Sequence, residues 1–107
     1  MRVAKVLFKG EEAGMLNQFD DGSFSFRYND SWIDNGNKAA ISLTMPKSQQ
    51  EYRSEYLFPF FFNMLPEGSN KQVVCRTMRI DEDDYFGLLL TTAKYDTIGA
   101  VRVVKIE

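Results

Sequence analysis

The sequence predicts an α+β domain: a mainly antiparallel sheet of about five strands with two to three helices. Three observations predict it. Ser23-Phe24-Ser25-Phe26-Arg27-Tyr28 alternates strictly, with the aromatics on one face. Asp20-Asp21-Gly22, just before it, is a strong hairpin signal, because Gly tolerates the positive φ that tight turns demand. From residue 54 to residue 92 the apolar residues recur at helical spacing instead, before a final β-branched run, Ile98 to Ile106.

Taken in order, Val3 to Phe8 is a short β-rich run. Gly10-Glu11-Glu12 turns the chain, and Ala13 to Phe19 returns antiparallel. With Ser23 to Tyr28 these runs form a β-meander. Asn29-Asp30-Ser31 is a cluster of turn and cap residues. Trp32 and Ile33 follow on a short helical turn or loop, and Asp34-Asn35-Gly36-Asn37 turns again. Ala39 to Met45 is the fourth strand candidate, ended by Pro46. Lys47 to Glu55 is polar and reads as an exposed loop.

Ser54 to Leu65 reads as helix, and Pro59 leaves its start open. Either the helix begins near Phe58 with Pro59 in the favoured first position, or it begins at Ser54 and kinks. Phe60 to Leu65 is expected to be largely buried. Pro66 cannot continue the helix and Gly68 eases the exit. A second helix spans Ser69 to Arg79, with Ser69 as N-cap and Val73, Val74, Thr77 and Met78 inward. A third runs from Glu82 to about Thr92, capped by Asp81 and packed through Tyr85, Leu88 and Leu89. The last strand rejoins the sheet at the N-terminal end.

The 107 residues are expected to form a single domain, 1–107. They are 44% hydrophobic and 26% charged, which is the balance of a folded protein and not of a disordered one. The net charge is −2, and the 13 Lys and Arg are scattered, so no basic stripe marks a nucleic-acid surface. No apolar run approaches the roughly 18 residues of a membrane span. With no signal-like segment either, a cytoplasmic location is expected.

One cysteine and no histidine narrow the chemistry further. An internal disulfide, a Cys/His zinc site and a Ser-His or Cys-His nucleophile pair all fall away. Asp81-Glu82-Asp83-Asp84 lacks the spacing and glycine turn of a calcium loop, and its place before an apolar stripe fits helix capping. Glu11 and Glu12 are adjacent, so in a strand they face opposite ways and in a turn they face water. No catalytic, cofactor or metal residue is assigned. Trp32 reads as core and Cys75 as a small buried helix residue. The candidate partner contacts are Lys47, Tyr52 and Arg53, because Tyr and Arg are the residue types that anchor interfaces.

Several segments together resemble the N-terminal domain of HipA-type serine/threonine kinases, the toxins of bacterial toxin–antitoxin modules. Val6-Leu7 with Gly14 and Leu16 is similar to the first hairpin of that family. Gly22, Phe24, Phe26, Tyr28 and Trp32 resemble its aromatic third strand and the turn after it. Ile41-Ser42-Leu43-Thr44-Met45-Pro46 is similar to the family's SLSLP segment. Phe61-Phe62-Asn63-Met64-Leu65-Pro66-Glu67-Gly68 is similar to its FF-x-N-L-L-P-E-G segment, the most specific of the set. Asp84-Tyr85-Phe86-Gly87-Leu88-Leu89 and Asp96-Thr97-Ile98-Gly99-Ala100-Val101 resemble its last two signatures, although Lys94 stands where the final one usually has glycine.

The resemblance ends before the kinase machinery, which needs an ATP-covering loop, a phosphate-pairing lysine and catalytic and metal-binding aspartates. It therefore implies a non-enzyme: a HipS-like small subunit that binds and restrains a HipA/HipT-like kinase, antitoxin fashion. The alternative it implies is a structural domain that completes the kinase and helps recruit a HipB-like DNA-binding protein, without inhibition. Neither role implies a cofactor, a membrane or direct contact with nucleic acid.

Overall fold

In the computed structural model, which describes residues 1–66, 68–92 and 101–106, five strands and four helices build an α+β fold. The elements are β1 (Arg2–Phe8), β2 (Glu11–Gln18), β3 (Phe24–Tyr28), α1 (Asp30–Ile33), β4 (Glu51–Ser54), α2 (Pro59–Phe62), α3 (Gly68–Met78), α4 (Tyr85–Thr92) and β5 (Val101–Lys105). The sheet is antiparallel throughout, in the order β4-β3-β2-β1-β5.

The meander forms for the reasons its sequence gives. Phe8 pairs with Glu11 around Lys9 and Gly10, whose φ values of 52° and 84° are those of a two-residue type I′ turn. In the second hairpin the Gly22 N–H returns to the Phe19 carbonyl at 2.9 Å, and Gly22 takes φ 90°. That is a type I turn followed by a left-handed residue, so the Asp-Gly signal worked through glycine. The register pairs Leu16 with Phe26 and Gly14 with Tyr28, which puts all four on one face. Ala4, Val6 and Val103 join them there, and Trp32, Phe61, Phe86 and Leu89 pack over them. Each buried aromatic of this layer contributes about 2 kcal/mol of transfer free energy.

The fourth strand is not where the apolar run suggested. Ala39 to Met45 is a chain of turns, and β4 lies at Glu51–Ser54, inside the stretch expected to be loop. The reason is the Tyr28 phenol. It accepts the Ile41 N–H at 3.0 Å and donates to the Met45 carbonyl at 2.5 Å, so these backbone groups bond a side chain instead of a ladder. Ile41 and Met45 are buried, while Leu43 is wholly exposed, which breaks the alternation of a strand. The charged sequence of β4 suits its place at the sheet edge, where charges discourage pairing with another chain.

Of the two helix starts that Pro59 left open, the structure takes the later one: α2 begins at Pro59 and lasts four residues. One turn cannot aim every phenylalanine inward, since neighbours lie about 100° apart around the axis. Phe61 is fully buried and Phe62 is 46% exposed, so the expected burial of Phe60 to Leu65 holds only in part. On α3 the expected inner face is also corrected. Cys75 is buried, whereas Val73 and Met78 are exposed. The helix includes Gly68, so Ser69 lies inside it rather than capping it. It ends in a Schellman motif: Arg79 takes φ 56°, and the Ile80 N–H reaches the Cys75 carbonyl at 2.9 Å.

The acids before α4 do cap, one turn later than expected. Asp81 Oδ1 accepts the Asp83 N–H, while Asp84 Oδ1 accepts the Gly87 N–H at 3.1 Å and so caps the helix proper. Phe86, Leu88 and Leu89 are its buried residues, and Tyr85 is half-buried. Trp32 is buried, with its Nε1–H donated to the Ala39 carbonyl at 2.9 Å. The early part of the expected last strand, Ile98 to Ala100, lies outside the described residues, as do Glu67 and the segment around Lys94. From Val101 the strand pairs with β1 as expected.

Candidate partner interface

Where β4 leaves the sheet, the chain passes Glu55 and Tyr56 before Leu57 turns into the core. A groove of about 300 Å³ opens there, floored by Phe24 and Leu57 and walled by Tyr56, Phe62 and Tyr85. Tyr56 is 77% exposed. Phe62 meets Tyr85 edge to face, with centroids 5.4 Å apart. Clustered exposed aromatics of this kind are the usual anchors of protein interfaces.

Three local features hold the walls. Pro59 fixes the first turn of α2, so its last residue, Phe62, projects toward α4. Leu57 and Phe58 are buried on either side of that entry and leave Tyr56 outside. The third feature is an ion pair across the fold: Arg2 Nη2 of β1 lies 2.6 Å from Asp84 Oδ1, while Arg2 Nε donates to Gln18 Oε1 at 2.8 Å. The Arg2 guanidinium also lies 5.0 Å from the Phe86 ring centroid. Its hydrogen bond to Asp84, helped by the Gly87 N–H, holds that carboxyl below the usual range against the effect of partial burial.

The mouth of the groove is acidic. Glu55 and Asp83 line it, and among the described residues no lysine or arginine does. Lys71 of α3 approaches Tyr85, 5.3 Å from its ring centroid. Beside the groove a second depression of about 310 Å³ shares Phe24 and Glu55 with it and carries Phe19 and Arg53.

Of the three residues singled out from sequence, the structure brings Arg53 to this surface and leaves the others apart from it. Arg53 is exposed, donates to Glu51 Oε2 at 3.1 Å and lies 5.6 Å from the Phe19 ring centroid. Tyr52 donates its hydroxyl to the Pro46 carbonyl at 2.6 Å. Lys47 donates to the carbonyls of Asn35 and Lys38, at 2.6 and 2.8 Å, and ties down the loop before β4. Sequence reasoning missed Tyr56 and Phe62. The available signal was the density of the Leu-Phe-Pro-Phe-Phe-Phe run, which holds more aromatic rings than one helical turn can bury.

Among the described residues no group of three or more Cys, Asp or Glu converges to hold a metal ion, and Cys75 is buried. Among them, too, no helix is long and apolar enough to cross a membrane.

Known proteins are similar to this chain in sequence and in fold. The family model described as the HipA N-terminal domain matches residues 4–104. A solved structure titled as the N-terminal domain of HipA toxin superposes with a TM-score of 0.74 at 33% identity, covering 100% of this chain and 94% of that one. An uncharacterised protein of Haemophilus influenzae is 35% identical over 103 residues, 96% of this chain and 92% of the relative. A Sinorhizobium fredii protein named "Putative kinase Y4mE" is 29% identical over 89 residues, and this chain spans only 21% of its length. The chain belongs to the HipA N-terminal domain family, which ties its role to toxin–antitoxin systems.

Proposed function

We propose that this chain is a non-catalytic, antitoxin-like subunit that binds a HipA/HipT-like serine/threonine kinase in the cytoplasm and restrains it. The observation that carries this reading is a contrast between two relatives. The Haemophilus protein is matched over 92% of its length, so this domain makes up nearly all of that protein. In the Sinorhizobium protein the match takes up 21% of a chain named as a putative kinase. The same domain thus occurs alone and inside a longer chain, which supports a reading in which a separate copy docks where the attached one sits. The aromatic groove beside β4 supports the reading, because it offers a partner exposed rings on a rigid frame. Arg53 extends that surface, and Lys47 and Tyr52 shape the loop leading into it.

Restraint would follow from occlusion of the kinase cleft or from holding the kinase in an inactive arrangement. The test is co-purification of this chain with a HipA-like kinase encoded beside it, followed by measurement of autophosphorylation. A stable complex with suppressed phosphorylation is the expected outcome. The attachment of the domain in the Sinorhizobium relative favours a second reading, in which the chain completes the kinase fold and helps recruit a HipB-like DNA-binding protein. A kinase that is soluble and active only in this chain's presence would decide for that one.

A further inference from the structure

We infer that the groove between β4 and α4 receives an arginine side chain of the partner, held between aromatic rings and two carboxylates. This deepens the partner-binding reading above by naming the chemistry at its centre. Glu55 and Asp83 stand at the mouth, and among the described residues neither carboxylate has an ion-pair or hydrogen-bond partner in the fold. Tyr56, Phe62 and Tyr85 present rings to the same space. An aliphatic stem fits the Phe24 and Leu57 floor, and a planar cation at the stem's end meets rings and acids together.

Charge complementarity selects the occupant. Two free carboxylates at an apolar groove repel an acidic partner and leave a purely apolar one with unfavourable desolvation at the rim. A guanidinium serves better than an ammonium, because its flat fork stacks on rings while donating to two acceptors. The chain already uses the same combination within its own fold. Arg2 lies over Phe86 while paired with Asp84, the residue next to Asp83. Lys71 covers Tyr85 from the α3 side, so Tyr56 and Phe62 are the rings left to a newcomer.

The test uses the full chain, ¹⁵N-labelled, titrated with acetyl-Ala-Arg-Ala-amide and with its lysine and citrulline counterparts. Saturable shifts confined to residues around Tyr56, Phe62 and Glu55 are expected. The arginine peptide should bind about tenfold more tightly than the citrulline one, and Glu55→Gln with Asp83→Asn should remove that preference. Equal binding of arginine and citrulline peptides, equal binding of the lysine peptide, or shifts centred elsewhere would overturn the inference. Those results leave co-purification with the kinase standing or falling on its own measurement. The spectrum of each variant reports directly whether it is folded.

Discussion

Arg2 and Asp84, 82 positions apart in the chain, form an ion pair with Nη2 and Oδ1 separated by 2.6 Å. The pair joins the first strand of the sheet to the start of its last described helix. Because Asp84 also caps α4, one carboxylate sets both the position and the beginning of that helix.

Replacing Asp84 with Asn should therefore destabilise the fold by about 0.5–1 kcal/mol, from the loss of a partly exposed ion pair, because Asn caps a helix about as well as Asp. The pH dependence has a definite sign. The carboxyl is depressed in the folded state, so its stabilising contribution is present above the ordinary carboxylate value of 3.8 and is lost as pH falls through the folded value. Urea unfolding at pH 7 should separate wild type from Asp84→Asn, and the gap should close in acid.

Tyr28 offers a second test. Its hydroxyl is the shared partner of Ile41 and Met45, and burial raises its pKa above 10.0. Tyr28→Phe leaves two backbone groups without that partner and should cost about 2 kcal/mol. A raised pKa also means that stability is complete below the unfolded tyrosine value and falls as pH rises from there through the folded one. Absorbance at the phenolate band during alkaline titration should show Tyr28 ionising together with unfolding.

The Ile41 and Met45 bonds also explain why one strand was misplaced by sequence. Ile41 and Met45 have the apolar character of a strand, yet their backbone partners are a phenol 13 and 17 residues away, which no local pattern reveals. Glu51 to Ser54 looks like loop because an edge strand carries charge. The β-meander was legible, since alternation at Phe24, Phe26 and Tyr28 and the glycine turns are local signals. The groove was not. It is assembled from the β3 residue Phe24, the exit of β4, the end of α2 and the start of α4, and only the folded chain brings Tyr56, Phe62 and Tyr85 together.

Gly14 marks a close approach within the sheet. A Cβ placed there would lie 2.4 Å from the Arg27 carbonyl oxygen and 2.9 Å from the Phe26 ring. The first contact is with backbone and cannot be relieved by a rotamer change. Gly14→Ala should lower stability by about 2 kcal/mol, measurable as a reduced melting temperature.

Arg79 predicts a change in the opposite direction. It holds the left-handed position that ends α3, at φ 56°, where a side chain is strained. Arg79→Gly should stabilise the fold by about 0.5–1 kcal/mol, seen as a higher urea midpoint with an unchanged slope.

The central claim, that this chain restrains a HipA-like kinase through the Tyr56–Phe62 surface, is tested most directly by one titration. Autophosphorylation of a HipA-like kinase that co-purifies with this chain is followed while the wild-type chain, or the Tyr56→Ala/Phe62→Ala variant, is added to saturation. The account predicts suppression by the wild type and a loss of apparent affinity of about tenfold or more for the variant, as expected when two interface anchors are removed. Undiminished autophosphorylation at saturating wild-type chain would contradict it.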